Sequence, residues 1–331
     1  MKNSKIVGVG HYLPERIVTN QDLEKMMDTS DEWIRERTGI RERHWITEGD
    51  TIASMSHQAA LKALERAGME AGDIEFIVFA TMMSDQIFPG GGCFLQQKLG
   101  LPGVPAMDVR NACSGFLYAL ATADKFIKTG TYKNALVVGA EIQSTSLDLT
   151  TRGRDIAVLF ADGAGAAVLT ATDDPTDGIL TTHIHADGNY TDKLRVEQPV
   201  VYHNPRLHPG IFEGDAIYPK MEGRYVFKHA VTKFPEVINE ALEATGYTTD
   251  DIDLLIPHQA NLRITEAVGQ RVGLPPEKVF SNIQTTGNTT AASIPIAMSE
   301  AIEQGRLKKG DLLCLAAFGA GFTWASALVR F

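Results

Sequence analysis

Cys113 is the residue on which chemistry is most readily built. It lies in Asp108-Val109-Arg110-Asn111-Ala112-Cys113-Ser114-Gly115-Phe116-Leu117-Tyr118-Ala119-Leu120, a pattern that predicts a short strand, a tight turn and a long helix. The helix follows from Phe116, Leu117, Leu120, Ala123, Phe126 and Ile127, which recur at helical spacing. Unpaired N–H groups and the positive dipole end at a helix N-terminus favour a thiolate. Ala112, Ser114 and Gly115 leave room for a reactant, so Cys113 is read as a nucleophile that carries an acyl group. A buried, inert thiol is the competing reading. Two other segments bear on the choice. Leu254-Leu255-Ile256-Pro257 predicts a buried strand ending in His258, where α/β folds place functional groups. Gly287-Asn288-Thr289 precedes a helix with apolar Ile294, Ile296, Ala297 and Ala301. A histidine can activate or use a thiolate, and an asparagine offers an N–H donor to a developing oxyanion.

An internal repeat explains how such distant residues would meet. Ala63-Leu64-Glu65, Gly68 and Asp73-Ile74-Glu75 recur at identical spacing as Ala241-Leu242-Glu243, Gly246 and Asp251-Ile252-Asp253. Gln97-Lys98-Leu99-Gly100-Leu101-Pro102 matches Gln270-Arg271-Val272-Gly273-Leu274-Pro275, and Phe160-Ala161-Asp162-Gly163-Ala164-Gly165 echoes Phe318-Gly319-Ala320-Gly321. The chain is therefore read as two related α/β halves whose equivalent loops meet. In that register the counterpart of the Cys113 turn is the stretch from Thr286 to Ser293, so one half presents Cys113 and the other Asn288.

The elements of the first half alternate. Capped helix starts are expected at Asn20-Gln21-Asp22-Leu23 and Ser30-Asp31-Glu32-Trp33-Ile34. A helix from about Ser54 to Ala67 ends at Gly68, and Phe76–Ala80 and Ala135–Ala140 read as core strands. Gly90-Gly91-Gly92 opens a further helix ending near Gly100. Ile156–Phe160 and Ala166–Leu169 flank Asp162-Gly163, a hairpin signal. The expected organisation is an N-terminal half over 1–172, a connector with surface loops over 173–223, and a C-terminal half over 224–331.

Composition narrows the function classes. The 331 residues are 44% hydrophobic and 22% charged, ordinary values for a globular protein with a large core. No apolar run reaches membrane-spanning length, and the N-terminus lacks the long apolar core of a signal peptide. The three cysteines, Cys93, Cys113 and Cys314, lack metal-ligand spacing, so no metal is expected and a reducing, cytoplasmic setting fits. A net charge of −10 argues against general nucleic-acid binding, while leaving room for a local basic patch.

These residues, end to end, resemble the β-ketoacyl-acyl-carrier-protein synthase III family, the initiating condensing enzymes of type II fatty-acid synthesis in the thiolase superfamily. The resemblance rests on Thr29-Ser30-Asp31-Glu32-Trp33-Ile34, Arg37-Thr38-Gly39-Ile40-Arg41-Glu42-Arg43, Ala112-Cys113-Ser114-Gly115-Phe116, Pro257-His258-Gln259-Ala260-Asn261, Gly287-Asn288-Thr289 and Phe322-Thr323-Trp324. It implies a thiolase-like, five-layered αβαβα fold and a homodimer. It also implies a decarboxylative condensation in which Cys113 takes an acyl group from acyl-CoA, a substrate rather than a cofactor. His258 and Asn288 would then stabilise the enolate formed from malonyl-acyl carrier protein. The resemblance assigns an oxyanion hole to the backbone N–H groups of Cys113 and Ala320, where the family usually has glycine at the latter. Thr29, Trp33, Arg37, Arg152, Gly223 and Asn261 would bind CoA, with Trp33 and Arg152 sandwiching the adenine. Arg263, Arg271 and Lys228 would meet the acidic carrier protein, and Phe88 would close the acyl pocket of the partner subunit.

The nearest alternative is a specialised ketosynthase or acyltransferase of secondary metabolism with a longer or unusual starter. Head-to-head condensing enzymes need an extra carboxylate near the thioester, for which the Met83-Ser84-Asp85-Gln86 segment offers Asp85 and no glutamate. A degradative thiolase needs a second catalytic cysteine in the C-terminal loop, and Cys314 falls inside an apolar run instead. A non-catalytic scaffold is disfavoured by the intact Cys113, His258 and Asn288.

Overall fold

The computed structural model describes residues 2–331. Its N-terminal half runs β1 (Asn3–Tyr12), β2 (Arg16–Thr19), α1 (Asn20–Glu24), α2 (Asp31–Thr38), β3 (Glu42–Trp45), α3 (Ile52–Ala67), β4 (Phe76–Ala80), α4 (Gly91–Lys98), β5 (Ala106–Val109), α5 (Gly115–Lys128), β6 (Asn134–Glu141), α6 (Arg154–Ala157) and β7 (Gly163–Thr172). There follow β8 (Gly178–Ala186), β9 (Leu194–Arg195), β10 (Lys220–Met221), α7 (Gly223–Thr245), β11 (Leu254–Pro257), α8 (Leu262–Val272), α9 (Ile283–Thr286), α10 (Ser293–Glu303), β12 (Leu312–Gly319) and β13 (Thr323–Arg330).

Side-chain alternation along the strands builds five layers. The first sheet has the order β1-β7-β6-β4-β5 and the second β11-β12-β13-β8. On β4, Phe76, Val78 and Ala80 face one core while Ile77 and Phe79 face another, the two-residue period of a strand buried on both faces. The second core is closed by Met55, Ala59, Ala63 and Leu64 of α3. The first core holds Phe116 and Leu120 of α5 with Ile294 and Met298 of α10, and its far wall is Leu313, Leu315 and Ala317 of β12. The opposite face of β12, through Leu312, Cys314 and Phe318, packs on Phe234 and Ile238 of α7 and Val268 of α8. Two helices therefore lie between two sheets, with further helices outside each. Cys314 is sealed in the outer core of the second half, consistent with a packing role.

The repeat is realised in backbone geometry. α3 and α7 both stop at left-handed glycines, Gly68 (φ 63°) and Gly246 (φ 74°). At the same separation in sequence, Ala112 and Thr290 both have φ 47°, and among the described residues no other non-glycine has positive φ. Each opens a 3-10 turn that leads into a central helix: Ala112–Ser114 into α5 and Thr290–Ala292 into α10. Strict register pairs Cys113 with Ala291, and Asn288 with Arg110.

Two expectations need correction. Ile156–Phe160 is not a strand, because Arg154–Ala157 is a helical turn and the segment after it docks on the other half. The signal misled because Asp162 does not turn a hairpin. Its buried carboxylate accepts the N–H groups of Ile46, Gln143 and Ser144 at 2.7–2.9 Å, tying three segments together. The stretch 173–223 is also more than a connector, since β8 within it pairs along its length with β13 and completes the second sheet. β8 carries Thr181, Thr182, His183 and His185 amid its apolar residues, which hid its period.

The elbows touch across very small spaces. A Cβ on Gly139 of β6 would lie 2.3 Å from the Ala291 carbonyl oxygen, a backbone atom that cannot swing away. Gly139→Ala is thus expected to destabilise the fold by about 1–3 kcal/mol through overpacking. Gly72→Ala, in open space at ordinary φ, should change stability by no more than about 0.5 kcal/mol. Thermal unfolding of both variants checks this, and equal effects would contradict it.

Candidate active site

Cys113 sits in the 3-10 turn ahead of α5 and is 7% exposed. It lines a cavity of about 670 Å³ together with His258, Asn288, Phe318 and Gly319. Gly319 is close to Cys113 because it lacks a side chain, as a Cβ there would fall 2.7 Å from the Cys113 Cβ and 3.0 Å from its nitrogen. Both halves therefore contribute to one cavity floor.

Each floor residue is held by its neighbours. The main chain of Asn288 is clamped by the 159–161 segment, with its N–H donating to Leu159 at 2.9 Å and its carbonyl accepting from Ala161 at 3.0 Å. The Asn288 Oδ1 accepts the Thr290 N–H at 2.9 Å. That fixes the carboxamide orientation and leaves the Nδ2 hydrogens free to donate. His258 follows β11 and its Nδ1 lies 2.5 Å from the Ser293 hydroxyl. The same hydroxyl accepts the Gln259 N–H at 3.3 Å and donates its own hydrogen to His258 Nδ1, so both the hydroxyl and Nδ1 are satisfied. The imidazole hydrogen then resides on Nε2, which is buried and has no protein partner. The cavity thus receives two donors, His258 Nε2–H and Asn288 Nδ2–H.

The electrostatics differ from what a helix N-terminus alone suggests. Burial pushes the Cys113 thiol up to about 12, and the nearby Glu141 carboxyl adds to the shift. The helix dipole, worth about 0.3–1 kcal/mol, is outweighed in the resting state. Burial also lowers His258 to about 3, so the ring is neutral at ordinary pH. Glu141 ends β6 behind this floor without lining the cavity, and burial raises it to about 8 against hydrogen bonds from Met82, Thr290, Ala291 and Thr81.

The cavity runs from this buried floor to an exposed mouth lined by Trp33, Arg37, Arg224 and Arg263. Gly223 and Asn261 also line it, and Asn261 caps α8 while its Nδ2 donates to the Arg37 carbonyl at 2.9 Å. The Arg37 and Arg154 guanidinium carbons lie 4.5 and 4.9 Å from the Trp33 ring centre. Arg152 is not at that ring. Its Nε donates to Asp148 at 2.6 Å and its guanidinium carbon lies 5.6 Å from the Tyr218 ring centre.

Other expected residues lie apart from the lining. Thr29 precedes the Ser30 cap of α2 with its hydroxyl buried and unpartnered. Lys228 is exposed on α7, and Arg271 is tied to α7 by donating to the Val231 carbonyl at 2.8 Å. Ala320 follows β12 without positive φ, so its methyl meets no backbone conflict there. Phe88 is 81% exposed on the loop between β4 and α4. A Cβ on Gly90, Gly91 or Gly92 would meet the Asp108 carboxylate or the Phe79 ring. The Asp85 carboxylate accepts the Ile52 and Ala53 N–H groups at the start of α3, which commits it to capping. Sequence reading missed Ser293, Arg154, Arg224 and Glu141. Ser293 alone left a signal, as the polar first residue of an otherwise apolar helix. Among the described residues no cluster of His, Cys, Asp and Glu has the makings of a metal site, and no helix is long and apolar enough to cross a membrane.

Comparison with known proteins gives a consistent result. A family model described as 3-oxoacyl-[acyl-carrier-protein (ACP)] synthase III matches residues 107–188, and its C-terminal counterpart matches 242–331. The chain is 49% identical to the β-ketoacyl-[acyl-carrier-protein] synthase III of Xanthomonas campestris over 99% of this chain and 98% of the relative. It is 47% identical to the protein of that name from Escherichia coli K12, over 99% of each. The crystal structure of 3-oxoacyl-[acyl-carrier-protein] synthase III from Aquifex aeolicus superposes with a TM-score of 0.91 at 45% identity, covering 99% of this chain and all of that one.

A neutral thiol and a neutral imidazole have measurable consequences. His258 should not protonate between about pH 5.5 and about pH 8 by NMR, and iodoacetamide should modify Cys113 of the unliganded protein slowly at pH 7, with the rate still rising above about pH 9. With its folded value lowered, His258 contributes stability that is full above its ordinary 6.5 and is lost as the pH falls toward 3. A His258 inflection near 6.5, or a near-neutral Cys113 inflection, would contradict these assignments.

Proposed function

Because the chain belongs to the β-ketoacyl-acyl-carrier-protein synthase III family, whose members are condensing acyltransferases initiating fatty-acid synthesis, we propose that Cys113, His258 and Asn288 carry out this reaction here. The observation that carries the assignment is one cavity floor holding a cysteine and two oriented side-chain donors. The alternative of a specialised secondary-metabolism enzyme is not favoured, since relatives at 47% and 49% identity along the whole chain bear the synthase III name.

The reaction follows from the donors. The Cys113 sulfur attacks the thioester carbonyl of acyl-CoA, and the departing CoA thiolate gains the proton that the cysteine loses. Malonyl-acyl carrier protein then binds with its thioester oxygen toward His258 Nε2–H and Asn288 Nδ2–H. The bond to carbon dioxide breaks, and its electron pair becomes an enolate held by both donors. Fixed donors aimed at developing charge contribute a few kcal/mol each, typically about 3. The enolate carbon attacks the acyl-Cys113 carbonyl, and the tetrahedral oxyanion lies near the backbone N–H groups of Cys113 and Ala320. Its collapse releases 3-oxoacyl-acyl carrier protein while the departing Cys113 sulfur takes a proton from solvent to restore the thiol. Neutral His258 suits this role, since it donates its Nε2 hydrogen without burying a formal charge.

The mouth suits the two carriers. Trp33, flanked by Arg37 and Arg154, offers a ring for the purine of CoA with cations for its phosphates. Gly223 and Asn261 border the way to the pantetheine arm, and Thr29 lies at the edge of this region. Arg224, Arg263 and Lys228 form an exposed basic rim for an acidic carrier protein, with Arg271 held behind them. Homodimerisation is supported by β5, an edge strand of the first sheet with Met107 exposed, beside a loop that exposes Ile87 and Phe88. Pairing of two such edges would carry Phe88 toward the partner's acyl pocket.

His258→Ala and Asn288→Ala should each reduce malonyl decarboxylation by about 10²–10³-fold while leaving acylation of Cys113 by acetyl-CoA within about 10-fold of the parent. Carbon dioxide release and intact-protein mass measure the two steps. Full decarboxylation by either variant, or acylation surviving Cys113→Ala, would overturn the assignment.

A further inference from the structure

Glu141 is a buried carboxyl next to the nucleophile that the reaction above does not use. It is 1% exposed, and among the described residues it makes no ion pair. Its neighbours are all donors. The Met82 N–H lies 3.1 Å from both carboxylate oxygens, the Gln143 amide 3.4 Å and the Thr81 hydroxyl 3.5 Å from Oε2. The Thr290 hydroxyl and the Ala291 N–H also face it, and the Gln143 amide lies 3.4 Å from the Thr290 hydroxyl as well.

Two of these contacts reach the elbow that carries Asn288. A helix start leaves N–H groups without intrahelical partners, and the first of them here belong to Thr290 and Ala291. Asn288 Oδ1 takes the Thr290 N–H from the cavity side, while Glu141 backs the elbow from inside the fold, linked to the Thr290 hydroxyl through the Gln143 amide and facing the Ala291 N–H. The orientation of the Asn288 carboxamide thus depends on where the strained Thr290 peptide points, and Glu141 holds that peptide from behind. The repeat sharpens the point. In the register that equates Ala112 with Thr290, Glu141 of β6 corresponds to Gly319 of β12. Gly319 backs the Cys113 elbow by having no side chain, whereas its counterpart backs the Asn288 elbow with a carboxyl. The same carboxyl grips Met82, at the start of the loop that carries Phe88.

We propose that Glu141 is a positioning residue for the decarboxylation step, setting the Asn288 carboxamide by bracing the Thr290–Ala291 elbow against the first turn of the Phe88 loop. The proposal rests on the reading of Asn288 given above. A carboxyl suits the place because its two oxygens together face Met82, Gln143 and Thr81, a spread that a hydroxyl or a single amide oxygen does not reach.

The test compares Glu141→Ala and Glu141→Gln with the parent homodimer or monomer as purified, measuring carbon dioxide release from malonyl-acyl carrier protein and Cys113 acylation by acetyl-CoA. Glu141→Ala should lower decarboxylation by about 10–100-fold with acylation within about 3-fold, the disproportion expected of a misplaced donor. Glu141→Gln, which keeps one acceptor oxygen, should recover part of the loss. Glu300→Gln, at a half-buried carboxyl near the far end of α10 that accepts from Asn282 Nδ2, should leave the ratio of the two rates at the parent value. Should Glu141→Ala not fold, the ratio in Glu141→Gln decides by the same criterion. A parent-like ratio in both Glu141 variants, parallel loss of both steps, or an equal shift in Glu300→Gln would each overturn the proposal. Asn288→Ala is measured alongside. If it loses decarboxylation while the Glu141 variants keep the parent ratio, this inference alone fails. If Asn288→Ala decarboxylates fully, the reading of Asn288 fails and this inference with it.

Discussion

The site depends on one close contact, between the backs of two helix-start elbows that share a conformation L-residues rarely adopt. Ala112 and Thr290 both hold φ near 47°, and a β-branched residue at that angle persists only where its surroundings over-determine it. The surroundings do so by removing side chains. Gly139 admits the Ala291 carbonyl, Gly115 lets the elbows approach, and Gly319 lies against Cys113. Any Cβ at Gly139 or Gly319 would push apart residues whose separation decides whether sulfur and carboxamide meet one substrate.

A second constraint is electrical. The floor is formed by groups that are each neutral or held among donors: a thiol raised by burial, an imidazole lowered by it, and a carboxamide. Charge is concentrated at the mouth, where exposed Arg37 and half-buried Arg154 flank the Trp33 ring. This division suits a reaction whose substrates arrive on anionic carriers and whose transient enolate forms inside. Two fixed N–H donors meet that enolate without the cost of burying an ion, which in a dry site is several kcal/mol, about the worth of one donor or more.

Much of this was legible in the chain. The duplication, the strand–turn–helix around Cys113, the strand ending in His258 and the turn at Asn288 are local patterns, and the structure has each of them. What stayed hidden depends on contacts across the fold. The apolar run Ile156–Phe160 looks like a strand, yet its role is to clamp the Asn288 backbone, a long-range bond with no local period. β8 carries two histidines and two threonines, and only its pairing with β13 defines it. Arg154 lies over Trp33 while Asp148 holds Arg152, a difference between two cations two residues apart that no local pattern announces. Ser293 leaves only the faint mark of a polar residue opening an apolar helix, and nothing in the sequence around Glu141 sets it apart.

The most direct test of the whole account is a crystal structure of the Cys113→Ser homodimer or monomer soaked with a non-hydrolysable malonyl-thioester analogue. The account predicts that the oxygen in place of the thioester carbonyl lies within hydrogen-bonding distance, about 3 Å, of both His258 Nε2 and Asn288 Nδ2. An analogue seated in the cavity with that oxygen turned away from either donor would contradict it.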